Sequence, residues 1–280
     1  MLLKSEYDIC FIKRNSGTNE KDKGNCGTQI PFSTVILVKN ILIWRITMSE
    51  KTYKYETHMH TSQASACGQV DGATQARIYK ELGYTGVVVT DHFFNGNTCV
   101  PRSLPWEERV TKYCDGYRAV KEEGDKIGLQ VFFGMETNYN SMEFLIYGLS
   151  EEWLKAHPDM LSWSVEKQYE MVHEAGGLVV QAHPFRKAPH ISNIVQYPHA
   201  VDAMEGYNGL NENGGPEFNN RAVAYCKEHG ITMTGGSDAH KEVTLRGGLL
   251  FKEKWNDIYD FIRAVKNGEG YEIITQFEKK

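Results

Sequence analysis

Five separate apolar runs in this chain end on residue types that bind metal ions. Residues 53–57 lead into His58-Met59-His60, and residues 85–90 (TGVVVT) into Asp91-His92. Residues 130–134 lead to Glu136, residues 178–181 (LVVQ) to His183, and residues 231–234 to Gly236-Ser237-Asp238-Ala239-His240. Helical patterns lie between them. One starts at Asp71, an N-cap type, and stops at Gly83; others cover 105–127, 164–175 and 218–229, each followed by glycine. Further strands are expected at 144–147, 203–205, 248–251 and 271–275, with a helix at 256–266. Such alternation predicts an α/β fold built on parallel strands. An open doubly wound sheet gathers its site at one switch point, whereas a barrel collects it from the C-terminal ends of many strands. Five contributing strand ends therefore predict a barrel, with its site at those ends.

The residue types define the chemistry expected there. Side chains on a strand repeat every two residues, so His58 and His60 share a face. Together with His92, Glu136, His183, Asp238 and His240 they offer nitrogen and oxygen donors suited to zinc, manganese or iron. The set is too large for one ion. It suits two or three divalent metal ions, with Glu136 or Asp238 bridging. Two ions a few ångströms apart clamp the attacking and leaving oxygens of a displacement and activate water, so a hydrolase is expected.

Composition narrows the partners. The chain has 280 residues and a net charge of −5, and its hydrophobic fraction of 41% is enough for one sizeable core. A mildly acidic total, with no basic stripe interleaved with aromatic residues, argues against an extended nucleic-acid surface or membrane-surface binding. Nothing sets the oligomeric state. Six scattered cysteines (Cys10, Cys26, Cys67, Cys99, Cys114 and Cys226) form no C-x-x-C pair, and no secretory signal is visible. These features read as reduced thiols in a cytoplasmic protein. Residues 1–47 differ from the rest: a polar, irregular start, then an apolar stretch at 30–46 broken by Lys39 and Arg45, too short for a membrane span. The expectation is that 1–47 is an extension ahead of a natural start at Met48, and that 48–280 is a single barrel domain.

The ordered set His58-x-His60, Thr90-Asp91-His92, Gly134-Met135-Glu136, Ala182-His183-Pro184 and Gly236-Ser237-Asp238-x-His240 resembles the PHP (polymerase and histidinol phosphatase) family. The resemblance runs from about Tyr53 to Phe251. It implies a distorted (β/α)7 barrel and a bi- or trinuclear metal centre that hydrolyses phosphate esters. By motif, His58, His60, Glu136 and Asp238 would hold one part of the centre, and His92, His183 and His240 would complete it, with Asp91 orienting a ligand. Two departures stand out. Where many members carry an Asp or His about five residues after the second His, this chain reads Ser65-Ala66-Cys67, and the nearest acid, Asp71, reads as a helix cap. Where many members carry a further His after the Glu motif, Leu145 stands here, with Glu143 able to compensate. Two ions are therefore better supported than three.

The implied activity is that of a histidinol-phosphatase-like phosphate monoester hydrolase, with a metal-bridging hydroxide attacking phosphorus in line. The substrate would be a small phosphorylated molecule. Arg186 is the expected phosphate clamp, because its planar fork matches phosphate oxygens; Lys187, Arg102 and Arg246 are weaker choices. Asp238 or a histidine such as His183 would protonate the leaving alkoxide. Glu205 and Asn208 are expected to touch substrate or brace ligands. Phe93, Phe94 and Trp106 read as loop packing that could stack on a ring, and His190 as a contact over the site. His157, His173, His199 and His229 read as surface or local structure. The alternatives are a nucleotide or nucleic-acid-end phosphoesterase and a non-catalytic metal-stabilised module. An amidohydrolase would call for a strand-end lysine that is absent.

Overall fold

Alternation of side chains along the strands divides this protein into a barrel interior and an outer helical layer. The computed structural model describes residues 51–276 apart from 190, 192, 243 and 245. The expectations for 1–47 and for His190 lie outside the described residues. Among the described residues, nine strands form one sheet in the order β7-β6-β5-β4-β3-β2-β1-β8-β9. They are β1 (Tyr53–Met59), β2 (Gly86–Val89), β3 (Gln130–Tyr139), β4 (Met142–Tyr147), β5 (Leu178–Gln181), β6 (Ala203–Asn208), β7 (Thr232–Gly236), β8 (Leu249–Phe251) and β9 (Tyr271–Ile273). The helices are α1 (Gly72–Glu81), α2 (Trp106–Tyr113), α3 (Asp115–Ile127), α4 (Glu151–Ala156), α5 (Val165–Glu174), α6 (Gly209–Gly214), α7 (Pro216–His229) and α8 (Ile258–Asn267).

Strands β1, β2 and β3 run parallel, as do β5, β6 and β7, while β4 is antiparallel to both of its neighbours. The fold is thus the α/β barrel expected, but the repeat of seven β/α units is not reproduced. A hairpin replaces one helical crossover between β3 and β4, and among the described residues no helix lies between β5 and β6. The sheet nearly closes at β1. The first half of that strand, Tyr53 to Tyr55, pairs antiparallel with β8. Its second half turns to the end of β7, where Thr57 Oγ1 donates to Gly235 O (2.8 Å) and Asp238 N donates to His58 O (2.8 Å). The approach requires glycine at 236, since a Cβ there would lie 2.5 Å from that of His58.

Tyr55, Val88, Leu145, Tyr147, Val180 and Ala203 pack into one interior cluster. α8 plugs it from below with Phe261, Ile262 and Val265, each contributing roughly 1.5–3 kcal/mol by leaving water. The intervening residues, such as Val87, Val89, Met135, Phe144, Val179 and Met204, face the helices instead. Helix boundaries follow the sequence signals closely at α1, where Asp71 accepts from Thr74 N as the expected cap. The single helix expected over 105–127 is two, broken at Cys114. No described helix is long and apolar enough to cross a membrane.

Candidate metal centre

Simple strand alternation would aim several of the predicted site residues the wrong way, and local backbone irregularities correct it. Tyr55 faces the interior and Met59 the outer helices, although both are odd-numbered residues of β1. The register of β1 against β2 shifts between Glu56 and Met59. That bulge turns His58 and His60 inward. On β5 the interior residues are Val180 and Ala182, so His183 would point outward; a positive φ of 28° there, unusual for a non-glycine residue, reverses it. Asp238 is likewise left-handed, at φ 56°. Strain held at two such residues marks a site whose surroundings dictate its geometry. Glu136 and Glu143 need no correction. Glu136 lies inside β3, which continues past the expected strand end to Tyr139, and Glu143 is the inward residue at the rim of β4. Leu145 faces inward one layer below it.

These side chains converge. Glu136 Oε1 lies 3.2 Å from His58 Nε2 and 3.4 Å from His183 Nε2, and its Oε2 lies 2.7 Å from His92 Nδ1 and 3.4 Å from His60 Nε2. Asp238 Oδ1 is 3.2 Å from His60 Nε2 and 3.2 Å from His240 Nδ1. Glu143 reaches His183 Nε2 at 3.4 Å and His92 Nδ1 at 3.6 Å. Four overlapping triads have ligand atoms within 4.8 Å of one another: His60-His92-His240, His58-His60-Glu136, His58-His183-Asp238 and His92-Glu136-Glu143. Buried polar atoms ordinarily have hydrogen-bond partners. Here both Glu136 carboxylate oxygens, His92 Nδ1, His183 Nε2 and Asp238 Oδ2 lack a well-aligned hydrogen bond and instead crowd one another or Arg186 at ion-pair distance. A concentration of such nitrogen and oxygen donors at one spot is the arrangement that divalent cations satisfy.

Outer hydrogen bonds set the tautomers. His58 Nδ1 lies 3.1 Å from Glu205 Oε1; a carboxylate accepts, so Nδ1 carries the proton and Nε2 turns its lone pair to the centre. For His60 the orienting group is Ser65. Its hydroxyl donates to Asp91 Oδ1 (2.7 Å), so His60 Nδ1, 3.0 Å away, must donate to the hydroxyl oxygen. Asp91 is held in turn by Thr61 N and Thr61 Oγ1, both at 2.7 Å. Glu205 also accepts from His183 N (3.0 Å) and Asn208 Nδ2 (2.8 Å), and so braces ligands on two strands.

Sequence reasoning missed Ser65 and Glu56 as parts of this framework. Glu56, fully buried, accepts from Thr57 N, His58 N, Ser237 N, Ser237 Oγ and Tyr79 Oη, tying the first His pair to the Gly-Ser-Asp turn. Its place two residues before His58 was the available signal.

Charge is compensated within the cluster. Burial would push the Glu136 carboxyl up, but His92 and His58 hold it well below the usual carboxylate range. Burial opposes ionisation of Asp238 too, and Arg186, His58 and His240 overcome it. Burial works against a charge on His58 and His92, yet the surrounding carboxylates hold both well above the usual histidine value. The Asp238 carboxylate raises His240 to about 10 against the pull of burial. His60 goes the other way, lowered by burial and by its neighbours His240 and His92.

Other expected residues fall into place around the rim or away from it. Arg186 Nη1 lies 2.6 Å from Asp238 Oδ2, while its Nε and Nη2 donate to Asn211 Oδ1 and Asn208 Oδ1, both at 2.8 Å. Arg246 is removed as a phosphate contact: it is fully buried over the Tyr79 ring and donates to Lys241 O. Arg102 and Lys187 are exposed. Phe93 and Phe94 are core residues that pack on Trp106 and Tyr113. His157 and His229 bond to backbone carbonyls of their own segments, and His173 to Asp202.

Comparison with known proteins agrees with this architecture. Residues 216–269 match the family described as PHP-associated (PHP_C). No curated protein sequence matches the chain. Among solved structures, a two-domain protein from Bacteroides vulgatus containing a predicted PHP-like metal-dependent phosphoesterase is similar, with a TM-score of 0.60 and 16% identity over 81% of this chain. The chain spans 66% of that protein's length. A candidate metal-dependent phosphoesterase from Bifidobacterium adolescentis is similar with a TM-score of 0.50 and 17% identity, over 78% of this chain and 96% of the other. At these identities the likeness is one of fold. The strand-end motifs, the PHP-associated segment and a barrel shared with PHP-like structures thus meet in one chain.

Proposed function

We propose that the protein is a metal-dependent phosphoesterase that hydrolyses small phosphate monoesters, with histidinol-phosphate-like esters among the substrates to be tried first. The observation that carries this reading is the set of buried nitrogen and oxygen donors crowded at the barrel rim, with a braced arginine beside them. His58, His60, His92, Glu136, His183, Asp238 and His240 would hold two or three divalent ions, and Glu143 joins them as an eighth donor. Bound ions supply Lewis acidity toward a phosphoryl group and lower the pKa of water toward neutrality.

The chain's own residues supply position and charge. Arg186 is locked by Asn208, Asn211 and Asp238 but keeps 16% of its side chain exposed, so its guanidinium can meet phosphate oxygens without reordering. The ion pair with Arg186 holds the Asp238 carboxyl ionised, which disfavours Asp238 as the proton donor to a leaving alkoxide and leaves that task to a histidine. Glu205, Ser65 and Asp91 keep His58 and His60 in the ligand tautomer. The test is turnover of a phosphomonoester panel, including histidinol phosphate and nucleotides, by protein loaded with Mn²⁺ or Zn²⁺ and by chelated protein. Metal-dependent release of phosphate is expected. Failure of the loaded protein to hydrolyse any ester would defeat the reading.

A further inference from the structure

Arg186 is held at the rim by two asparagines, and the orientation of one of them is set from outside the site. Its Nε and Nη2 donate to Asn211 Oδ1 and Asn208 Oδ1, both at 2.8 Å. An asparagine amide fits its space either way round, and a reversed one would set an NH2 group against the guanidinium. The Asn208 amide is fixed by Glu205 Oε2 (2.8 Å) and Asn211 N (3.0 Å). For Asn211 the freedom is removed by Asn219, on α7 and 3% exposed. A tight turn brings it there: Gly215 N donates to Asn211 O (2.7 Å), and a Cβ at 215 would lie 2.7 Å from the Phe218 ring. Asn219 Oδ1 accepts from Asn208 N (3.1 Å) and Asn211 Nδ2 (3.2 Å), while its Nδ2 donates to Asn208 O (3.1 Å) and Glu212 Oε2 (3.1 Å). These bonds fill every hydrogen-bonding position of the amide. A backbone N–H only donates and a carbonyl only accepts, so the Asn208 backbone fixes which end of Asn219 is oxygen. Asn211 must then offer that oxygen its NH2 group and turn its own oxygen to Arg186.

We infer that Asn219 is a positioning residue for phosphate recognition: it takes its polarity from the Asn208 backbone and passes it through Asn211 to the Arg186 guanidinium. The inference rests on the reading of Arg186 as the phosphate contact and extends that site to α7, a helix that carries none of the metal donors named above. A guanidinium ordered before the substrate arrives loses less freedom on meeting phosphate, and that is what the buried amide contributes.

The test reads Arg186 directly. In the full chain labelled with nitrogen-15, the Arg186 Nε–H resonance is identified by its loss in Arg186→Lys, and its hydrogen exchange with solvent is timed. Asn219→Ala should speed that exchange roughly tenfold or more, the scale of one hydrogen bond to a charged group. Ala224→Gly, at an exposed position of the same helix, weakens α7 without touching the network and should leave the exchange unchanged. With a phosphomonoester, Asn219→Ala should lower kcat/KM by about tenfold in the otherwise native chain and by less than about twofold in Arg186→Lys, because the two residues act as one unit. Metal content should stay the same. Should Asn219→Ala fail to fold, Asn219→Ser keeps one polar atom for the Asn208 backbone and carries the same expectation. Native protection of the Arg186 N–H in the Asn219 variant, an equal loss of protection in Ala224→Gly, or kinetic effects that add in full overturn the positioning role. Native protein that hydrolyses no ester overturns the proposed function instead, and the exchange measurement still decides whether Asn219 holds Arg186.

Discussion

Replacing Ser65 by alanine should damage both the fold and the metal affinity, although Ser65 is not itself a ligand. The side chain is 1% exposed and its hydroxyl serves three partners: it donates to Asp91 Oδ1 and accepts from His92 N and from His60 Nδ1. Alanine keeps the shape and removes only the oxygen. Asp91 Oδ1 retains the Thr61 N donor, but the His92 amide and the His60 ring N–H are left in a buried site without acceptors. At about 1–3 kcal/mol for each of the two orphaned buried donors, the loss is roughly 2–6 kcal/mol. Freed of its orienting partner, His60 also populates the wrong tautomer, which should weaken metal binding by about 10–100-fold. Urea unfolding of the chelated protein measures the first effect, and titration calorimetry with Zn²⁺ the second. A stability change within about 0.5 kcal/mol, as for an ordinary surface substitution, combined with unchanged metal affinity would refute the relay from Asp91 through Ser65 to His60.

Three further outcomes follow from the same geometry. Gly236→Ala places a Cβ 2.5 Å from that of His58 and 2.8 Å from Glu205 Oε1, so thermal unfolding should show a loss of about 1–3 kcal/mol or more, and metal content should drop; a neutral variant would contradict the tight β1–β7 contact. In chelated protein, His240 contributes stability that is full below its ordinary value of 6.5 and lost as pH rises through about 10. Asp238 and Glu136 contribute stability present above their ordinary 3.8 and 4.5 and lost as pH falls through their lowered values. A melting temperature scanned against pH should therefore peak between these limits and shift when metal is restored; a monotonic rise through pH 10 would contradict the pairing. Arg186→Lys keeps the charge but loses the fork, and kcat/KM for a phosphomonoester should fall by about 10–100-fold, the loss of one charge-assisted hydrogen bond at roughly 1.5–3 kcal/mol; unchanged kinetics would remove Arg186 from phosphate recognition.

The barrel and the clustering of these side chains were legible because both rest on local signals: strand-length apolar runs, helix stops at glycine, and metal-binding residue types at strand ends. What the sequence could not show is how those residues come to face one another. Pure alternation would have turned His183 outward and His58 away from the centre, and only the bulge in β1 and the left-handed backbone at His183 and Asp238 bring them in. Both features are imposed by long-range packing that no short window contains. Glu143 shows the converse. Its parity on β4 is regular, but its relevance depends on β4 pairing antiparallel with β3, so that Glu143 stands opposite Asn138, two residues beyond Glu136 and on the same inward face. The strand reversal that spoils the (β/α)7 count is thus what delivers the additional carboxylate. Arg246 looked available for substrate in the sequence and is instead sealed against Tyr79, because its segment folds beneath the Gly-Ser-Asp turn.

The central claim is that one cluster of buried donors, centred on Glu136, holds the metal. Elemental analysis of purified protein, wild type against Glu136→Ala, tests it most directly, since the Glu136 carboxylate touches His58, His60, His92 and His183 at once. The account predicts two or more divalent ions per wild-type chain and a loss of most of that metal in Glu136→Ala. Wild-type protein that retains less than one ion per chain after incubation with Zn²⁺ or Mn²⁺, or a variant that binds as much as the wild type, would contradict it.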